Sequence, residues 1–372
     1  MNTSSPPSTS WRYFDFWLLG AVAILTIFGI AMIRSAIADN IELAELDLVR
    51  RQIIFVVIGF VVILVTTAID YHLWSAISRP MYLGMTFLLA VLFVVGAALF
   101  GSARWFDTGV ILIQPSELAK IVVILILADF FTRHHAKIHE LRLIARSLIY
   151  TLGMVIWILL QPNLSTSIVI MAIWFALVWA GGLRIKHLLL FAGAGLILPL
   201  AGYPFLVDYQ QQRILNFLFP DLSARHGEIY NIQQALISIG SGGWFGKGYD
   251  HGSQVQLRFL KVRHSDFIFA AMAEEFGFVG TVLVMLLLLF VIYRVLRAAH
   301  LAKDTFGALI CYGVATLIGF QAMVNIGVNL NVLPATGLPL PFISYGGSSM
   351  LSLLLGIGLV QSVILRHRSL DF

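Results

Sequence analysis

Long apolar runs separated by short polar segments dominate the chain, a pattern typical of helices that cross a membrane. Ten runs are long enough to span a bilayer as helices. Their predicted bounds are 16–37, 53–69, 81–100, 112–132, 147–161, 165–182, 187–206, 266–293, 306–328 and 344–364. Only Gln161-Pro162-Asn163 separates the fifth run from the sixth, so one broken helix is the alternative there. The predicted fold is an all-α membrane protein, a polytopic bundle of about ten transmembrane helices.

Composition supports this interpretation. Hydrophobic residues make up 59% of the 372 residues and charged residues only 12%, whereas soluble domains carry about 25% charged residues. The single cysteine, Cys311, excludes an internal disulfide and a cysteine-based metal site. The net charge of +5 reflects lysines and arginines in loops of a membrane protein, so no nucleic-acid partner is expected.

The distribution of lysine and arginine predicts the orientation. With the N-terminus placed in the cytoplasm, thirteen of these cations fall in inside segments and four in short outside segments. The four outside cations are Arg34, Arg50, Arg51 and Arg104. Both termini are therefore predicted to be cytoplasmic, in the inner (cytoplasmic) membrane. Residues 1–15 are predicted to form a disordered cytoplasmic tail.

One long polar segment, 207–265, is predicted to be a large extracytoplasmic loop, and loops of this length are usually functional. The chain 1–372 is otherwise predicted to form one membrane domain. Within the loop, Ile229, Ile232, Leu236 and Ile239 recur at helical spacing. This spacing predicts a short helix that either lies on the outer membrane surface or packs against the bundle.

Asp266 is the strongest candidate for chemistry. It follows Arg263, His264 and Ser265 where the polar loop runs into an apolar stretch. That position puts a carboxylate at a boundary between water and lipid, suited to an acid or base that acts on a substrate that is itself half lipid.

Charged residues inside predicted spans are the second signal. Glu117 and Lys120 are three residues apart, so they share a helix face and can pair. The pair either locks two helices together or also shapes a substrate cavity. Glu274 and Glu275 lie too deep to share a reacting atom with Asp266, and a buried hydrogen-bonding role is expected for both.

The loop also contains a glycine-rich run, Ile239–Gly248, and several cations. The run does not match the nucleotide P-loop, so it forms either a cradle for a diphosphate or a plain turn. The cations suit an anionic lipid headgroup. They are Arg213, Lys247, Arg258, Lys261 and Arg263.

Taken together and in order, these motifs resemble the SEDS family (shape, elongation, division and sporulation proteins), and its RodA members more than its FtsW members. The resemblance covers nearly the whole chain. It rests on Gln114–Lys120, Gln161–Ser167, Asp208–Arg213, Ile239–Gly248, Arg263–Gly277 and Asn325–Ser349. Departures include Asn163, where the family often has aspartate, together with Asn331 and Ala335.

The resemblance implies a peptidoglycan glycosyltransferase that polymerises lipid II, the undecaprenyl-diphosphate glycan precursor, with inversion at the outer face of the membrane for cell elongation and shape. It implies an essential role for Asp266 and a functional one for Glu117 and Lys120. It also implies a class B penicillin-binding protein as partner, the cell-elongation machinery, and a divalent cation, Mg²⁺ or Mn²⁺, with unknown ligands.

We expect Asp266 to act as general base on the acceptor sugar, with Arg213, Lys247 or Lys120 stabilising the departing diphosphate. Expected substrate-binding residues are Arg213, Gln210, Lys247, Arg263, His264, Asn163 and Ser344. Two rival functions stay open: a lipid II flippase, which an inverted repeat would favour, and a non-catalytic scaffold for a transpeptidase.

Overall fold

The computed structural model describes residues 11–37, 47–100, 104–107, 112–135, 140–183, 186–187, 191, 193, 202–220, 227–257, 259–260 and 263–366. Twelve α-helices lie in these ranges: α1 Phe16–Ile37, α2 Leu48–Ala68, α3 Tyr71–Phe100, α4 Pro115–Arg133, α5 Leu141–Leu160, α6 Leu164–Ala180, α7 Asp208–Leu218, α8 Glu228–Ser241, α9 Ser253–Gln256, α10 Ile268–Leu301, α11 Thr305–Asn329 and α12 Gly347–Leu365. Two short strands, β1 Phe106–Asp107 and β2 Leu112–Ile113, pair antiparallel, with Phe106 opposite Ile113. The predicted fold class, an all-α polytopic membrane protein, is confirmed.

Seven of the described helices are long and apolar enough to cross a membrane: α1, α2, α3, α5, α10, α11 and α12. Helix α6 is shorter, at 17 residues, and α4 carries four charged residues along its 19. Nine of the ten predicted spans coincide with a described helix. The remaining one, 187–206, falls mostly outside the described residues, so the total of ten stays a prediction.

The largest difference in helix bounds is at α3, which begins at Tyr71, ten residues before the predicted start, and continues through Pro80. Its first turns are polar, which is why the hydrophobic pattern did not reveal them. Those polar groups are satisfied by other helices: the Tyr71 hydroxyl donates to Asp304 (2.5 Å) and the Ser75 hydroxyl to Asp129 (2.5 Å).

The segment Gln161–Asn163 separates α5 from α6, so the two predicted spans are two helices. Asn163 is the N-cap of α6, and its side-chain oxygen accepts from the backbone N–H of Thr166 at 3.3 Å. An N-cap side chain satisfies one of the backbone donors that every helix start leaves open. The polar break in the sequence is therefore a capped helix start.

Small residues let the central helices approach closely. A Cβ added to Gly358 of α12 would lie 1.8 Å from the Thr66 hydroxyl of α2, and one added to Gly59 would lie 2.1 Å from Leu354. Glycine at such contacts is the usual means by which membrane helices pack, because lipid offers no hydrophobic drive between them. This close packing seats α12 between α2, α4 and α11.

Residues 11–15, just before α1, belong to the folded structure. Trp11–Tyr13 form a 3-10 turn, and Phe14 and Asp15 are buried. Arg294 of α10 pairs with the Asp15 carboxylate through Nε at 2.8 Å. The predicted tail boundary at residue 15 is therefore too late; residues 1–10 lie outside the described residues.

Helix α8 confirms the helical spacing found in the long polar segment. It packs against α10 and buries Ile232, Ala235 and Ser238, while Leu236 is 40% exposed. Of the two placements left open by the sequence, the structure shows the helix packed on the bundle. Because α8 lies against the same helix that follows Asp266, it also becomes part of the support of that residue.

Helix α10 is broken at Gly277, whose φ of 65° and ψ of −166° are not helical. A break leaves backbone groups without their helical partners, and such groups are costly inside a membrane protein. The glycine-rich run fills the gap. Lys247 and Gly248 donate their N–H groups to the carbonyls of Glu274 (3.0 Å) and Glu275 (2.9 Å).

The same turn also accepts bonds from the far side of the break. Phe278 donates to the Gly243 carbonyl at 2.8 Å, and Val279 to the Trp244 carbonyl at 3.0 Å. A Cβ on Gly246 would lie 2.1 Å from the Glu275 carbonyl oxygen. The glycines thus allow two backbones to touch, so the structure supports the turn rather than the diphosphate cradle.

This interlock predicts a large effect for Gly277→Ala. The φ and ψ of Gly277 are strained for any other residue, and the new Cβ would lie 2.2 Å from the Gly246 nitrogen. We expect the melting temperature in detergent to fall by about 3–4 °C, the shift that a loss of roughly 2–3 kcal/mol gives in a chain of 372 residues. Gly84→Ala is the matched control, because Gly84 is exposed and has no atom near its Cβ position. Equal melting temperatures for the two variants would show that the interlock does not stabilise the fold.

Candidate active site

Eight segments surround a cavity of about 600 Å³. They are the first two turns of α2, the starts of α4, α6 and α12 with the residues just before them, helix α7, the pair Arg104–Trp105, and the loops 264–266 and 334–339. The lining combines apolar side chains with cations and two carboxylates. The polar and charged members are Arg51, Arg104, Gln114, Glu117, Asn163, Ser165, Thr166, Tyr209, Gln210, Arg213, His264, Ser265, Asp266, Thr336, Tyr345, Ser348 and Ser349.

The backbone of Asp266 is held by two buried asparagines of α11. Asn325 and Asn329 each donate an amide N–H to the Asp266 carbonyl at 3.0 Å. The Asn329 side-chain oxygen also accepts from the Ala270 N–H at 3.1 Å. Because Phe267, the N-cap residue, has no side chain that can cap α10, Asn329 supplies that acceptor from a neighbouring helix. Asp266 is therefore fixed through its main chain, which leaves its carboxylate for the cavity.

The Asp266 side chain is partly buried in the cavity wall. Burial raises the pKa of Asp266 above its ordinary value, while a hydrogen bond from Ser265 and the charge of Arg213 act in the opposite direction. A Cβ added to Gly337, which has φ 74°, would lie 3.7 Å from Asp266 Oδ2. Loop 334–339 thus passes beside the carboxylate, and Gly337 leaves space next to it. A carboxyl group with a raised pKa is a stronger base than an exposed one.

Glu117 and Lys120 form the expected pair. Lys120 Nζ lies 2.6 Å from Glu117 Oε2, and their side chains are 1% and 6% exposed, respectively. Pro115 begins α4, which places Glu117 in the first turn, where the helix dipole favours an anion. Glu117 lines the cavity and Lys120 lies behind it. The pair therefore belongs to the cavity wall as well as to the packing of α4.

Arg213 and Gln210 extend from α7 into the same cavity. The Arg213 side chain pairs with Glu228 of α8, Nε to Oε1 at 3.0 Å, and donates to the Ala335 carbonyl at 3.3 Å. Gln210 is buried and donates to the Tyr209 hydroxyl at 3.2 Å. Both residues thus line the cavity that contains Asp266, and their role in binding substrate stays a prediction.

Asn163 and His264 also line the cavity. Asn163 donates to the Ser116 hydroxyl of α4 at 3.3 Å in addition to capping α6. Burial and the charge of Arg263 lower the pKa of His264, so its imidazole is neutral near neutral pH. Its Nδ1 has no hydrogen-bond partner among the described residues. His264 can therefore form a hydrogen bond with a substrate but supplies no charge to a diphosphate.

Three expected substrate-binding residues lie outside the cavity lining. Lys247 Nζ is paired with the fully buried Glu274 at 2.7 Å. Arg263 is buried and donates to the Leu260 carbonyl at 3.3 Å. The Ser344 hydroxyl donates to the Ser265 carbonyl at 2.7 Å. These three side chains thus form contacts within the protein. The loop cations Arg258 and Lys261 fall outside the described residues.

Two glutamates in α10 have the buried role expected from the sequence. Glu274 accepts from Lys247, from the Ser253 hydroxyl at 3.1 Å and from the Gln254 N–H at 3.0 Å. Glu275 accepts a hydrogen bond from the Ser35 hydroxyl of α1. Glu274 therefore joins the polar segment to α10, and Glu275 joins α10 to α1.

Sequence reasoning missed two cations of the cavity, Arg51 and Arg104. Arg104 donates to the carbonyls of Gln161 (2.8 Å) and Pro162 (2.7 Å), and Arg51 bonds to the Tyr345 hydroxyl. A signal was present, because both belong to the four cations in short segments predicted to lie outside, where such residues are depleted. An arginine in a short segment predicted to lie outside is therefore a candidate for a functional role.

The cavity also contains orphaned neutral polar atoms. Among the described residues, the hydroxyls of Thr336 and Ser349 are buried and have no hydrogen-bond partner. A buried polar group without a partner costs about 1–3 kcal/mol, so such groups are suited to accept or donate to hydroxyl or amide groups of a bound sugar. Neither residue was singled out from the sequence.

The described side chains do not by themselves form a complete metal-binding site. The described residues contain no group of three or more His, Cys, Asp or Glu side chains arranged to hold an ion. Magnesium is commonly held by one or two carboxylates, several waters and substrate phosphates. The protein alone therefore offers no such site in its described part.

A polytopic helical membrane protein with a carboxylate, cations and apolar side chains around one deep cavity has the architecture of an enzyme for amphipathic substrates. The family model of FtsW, RodA and SpoVE, described as cell cycle proteins, matches residues 16–369. The chain belongs to this family, as the motifs had indicated.

Relatives and solved structures agree over almost the whole length. The chain is 34% identical to peptidoglycan glycosyltransferase MrdB of Escherichia coli (strain K12), covering 100% of this chain and 99% of that one. It is 33% identical to a probable peptidoglycan glycosyltransferase FtsW of Geobacter sp. (strain M18), covering 95% and 98%. A chain from a peptidoglycan synthase complex that coordinates polymerization and crosslinking superposes with a TM-score of 0.80 at 31% identity, covering 95% and 98%. The rod shape determining protein RodA of Thermus thermophilus superposes with a TM-score of 0.69 at 30% identity, covering 95% and 97%.

Proposed function

We propose that this protein is a peptidoglycan glycosyltransferase that polymerises lipid II into glycan strands. The observation that carries the proposal is the Asp266 carboxylate, fixed through its backbone in the wall of a deep cavity. Apolar lining residues such as Phe55 and Leu338 suit the lipid part of the substrate, and arginines suit its diphosphate. The names of the relatives support the same activity.

In the proposed reaction, the acceptor sugar hydroxyl attacks the anomeric carbon of the donor sugar. The new carbon–oxygen bond forms as the bond to the diphosphate breaks, which inverts that carbon. Asp266 takes the hydroxyl proton, and the diphosphate leaves with the bonding electron pair. No second acid is required, because a diphosphate leaves as an anion, in contrast to the leaving group of a glycosidase.

Arginines of the cavity stabilise the charge that develops on the departing diphosphate. Arg213 is the cation whose charge most directly reaches Asp266, and Arg51 and Arg104 line the same space. Guanidinium groups recognise phosphate through paired hydrogen bonds. Of the three cations expected to stabilise the diphosphate, only Arg213 lines the cavity, whereas Lys120 and Lys247 lie outside the lining. A divalent cation that assists this step would arrive with the diphosphate and its waters.

The proposed setting is the inner (cytoplasmic) membrane, with both termini in the cytoplasm and Asp266 facing outward, where the glycan is needed. The partner proposed is a class B penicillin-binding protein that crosslinks the product, within the cell-elongation machinery. The likeness to a chain of a peptidoglycan synthase complex supports this pairing, and the positive-inside distribution supports the orientation.

The decisive measurement is glycan synthesis by the purified chain in liposomes with lipid II added only to the outer leaflet. We expect polymer to form with the chain alone and to form faster with its transpeptidase partner. A flippase would need no polymer product and would instead move labelled lipid II inward. A scaffold would yield polymer only from an added polymerase. Absence of polymer from the chain both with and without its transpeptidase partner, when no other polymerase is added, would exclude the proposed activity.

A further inference from the structure

Arg213 lies between two carboxylates, one of which has no role in the reaction described above. Its Nε pairs with Glu228 Oε1 at 3.0 Å, and its Nη1 donates to the Ala335 carbonyl at 3.3 Å. Its guanidinium lies 5.6 Å from the centre of the Tyr209 ring, a cation–π contact. Three contacts from α7, α8 and loop 334–339 thus fix the orientation of Arg213 in the cavity wall.

Glu228 is well placed to act through Arg213. It is the first residue of α8, and its side chain is 22% exposed, so water screens the ion pair only in part. Helix α8 packs against α10, the helix that begins just after Asp266. The Glu228 carboxylate, on a helix that packs against α10, therefore holds the Arg213 guanidinium on the side of the cavity that the polar segment forms.

The charges of these three groups interact. Burial raises the pKa of Glu228, Arg213 and a hydrogen bond with Asn216 lower it, and the charge of Asp266 raises it. Arg213 in turn lowers the pKa of Asp266. The other charged residues that line the cavity are Arg51, Arg104 and Glu117, and His264 beside Asp266 is neutral.

We infer that Glu228 is a positioning residue of the active site, which holds the Arg213 guanidinium in the cavity wall and moderates the positive charge that Asp266 experiences. The inference rests on the proposed function. Without Glu228, no carboxylate would offset the positive charge of Arg213 near Asp266. The repulsion between the negative charges of Glu228 and Asp266 would also be lost. Both changes favour ionised Asp266, which makes it a weaker base. Glu228 therefore keeps Asp266 basic while leaving a cation in place for the diphosphate.

The test is the pH dependence of the initial polymerisation rate in the variant Glu228→Gln. The rate requires ionised Asp266, so it falls as pH drops through the pKa of that residue. We expect the acid limb of the profile to move to lower pH by about 0.5–1 unit, less than the roughly 1–3 units of a charge in direct contact, because Glu228 contacts Arg213 rather than Asp266. We also expect a lower plateau, because the base is weaker and Arg213 is less well held. A purely structural role would lower the plateau without moving the limb.

Three further variants separate the causes. Glu228→Asp retains the charge and should retain the position of the acid limb. Asp208→Asn removes one exposed charge from α7 and should leave both limb and plateau unchanged. Arg213→Gln should move the acid limb to higher pH, because a positive charge near Asp266 is lost. In the Arg213→Gln background, Glu228→Gln should shift the acid limb less than it does in the wild-type background, because Arg213 no longer couples Glu228 to Asp266.

The outcomes are distinguishable from failure of the proposed function. Absence of polymer from the wild-type chain would sink the function itself. An active Glu228→Gln variant whose acid limb coincides with that of wild type would overturn the inference about Glu228. Melting temperatures identify variants that do not fold; should Glu228→Gln be one of them, Glu228→Ser provides a second neutral side chain for the same measurement.

Discussion

Asp266→Asn should reduce lipid II polymerisation by about 10²–10⁴-fold, the usual contribution of a general base. Asparagine has the size of aspartate but cannot take the proton of the acceptor hydroxyl. The measurement is the initial rate of glycan formation by the purified variant in liposomes. Because burial raises the pKa of Asp266, the wild-type rate should itself fall on acidification at a pH above the ordinary range of a carboxylate.

The fold should tolerate this substitution. Asn325 and Asn329 bind the backbone carbonyl of residue 266, which the variant retains. The melting temperature and the binding of lipid II should therefore stay close to those of wild type. Removing the negative charge near Arg213 could only favour an anionic diphosphate. A variant that folds and still polymerises at the normal rate would show that Asp266 is not the base.

Substitutions of Asn325 or Asn329 would not be equivalent controls, because they remove hydrogen bonds to the Asp266 main chain. Asp208→Asn is more suitable. It makes the same chemical change at an exposed residue of α7 that does not line the cavity. We expect Asp208→Asn to polymerise lipid II normally and Asp266→Asn to lose activity. This difference would show that the loss comes from the position of Asp266, and not from removing any one charge from the polar segment.

Local sequence was sufficient for the parts of the site that depend on periodicity. Glu117 and Lys120 are three residues apart on one helix, so their pairing follows from helix geometry. Asp266 was identifiable because it marks the change from a polar to an apolar segment. Cations were harder to place, since Lys247 and Arg213 both lie in the long polar segment and the hydrophobic pattern does not show which of them faces the cavity. Only the tertiary structure shows that Glu274 binds Lys247 while Arg213 enters the cavity.

The break in α10 could not be predicted for a related reason. Gly277 lies inside the predicted span 266–293, which the hydrophobic pattern predicts to be one unbroken helix. The break is stable because a turn 27–35 residues earlier supplies the missing backbone partners. Likewise, α3 extends over ten polar or mixed residues because Asp129 and Asp304 on other helices satisfy Ser75 and Tyr71. Long-range hydrogen bonds of this kind leave no local pattern.

Breaking the buried ion pair should have the second large effect. Lys120→Met leaves the Glu117 carboxylate buried without its partner, and Glu117→Gln does the same to the Lys120 ammonium. Removing one member of a buried pair costs about 3–5 kcal/mol. We expect each single variant to have a markedly lower melting temperature in detergent and little polymerisation activity.

The double variant Glu117→Leu/Lys120→Met separates packing from function. Replacing both members by apolar residues of similar volume removes the desolvation cost together with the attraction, and such replacements are often neutral or stabilising. The melting temperature should therefore recover toward that of wild type. The Glu117 backbone carbonyl would still accept from the Ser352 hydroxyl of α12, a bond of 2.7 Å that does not depend on the side chain.

Activity should not recover with stability. Glu117 lines the cavity that contains Asp266, so replacing it with leucine changes the polar surface presented to the sugar or the diphosphate. We expect a stable double variant that polymerises lipid II at least about 10²-fold more slowly than wild type, the loss typical when a charged active-site group is removed. A stable and fully active double variant would instead show that the pair only locks α4 into the bundle. The comparison decides between the two roles because stability and activity are measured on the same protein.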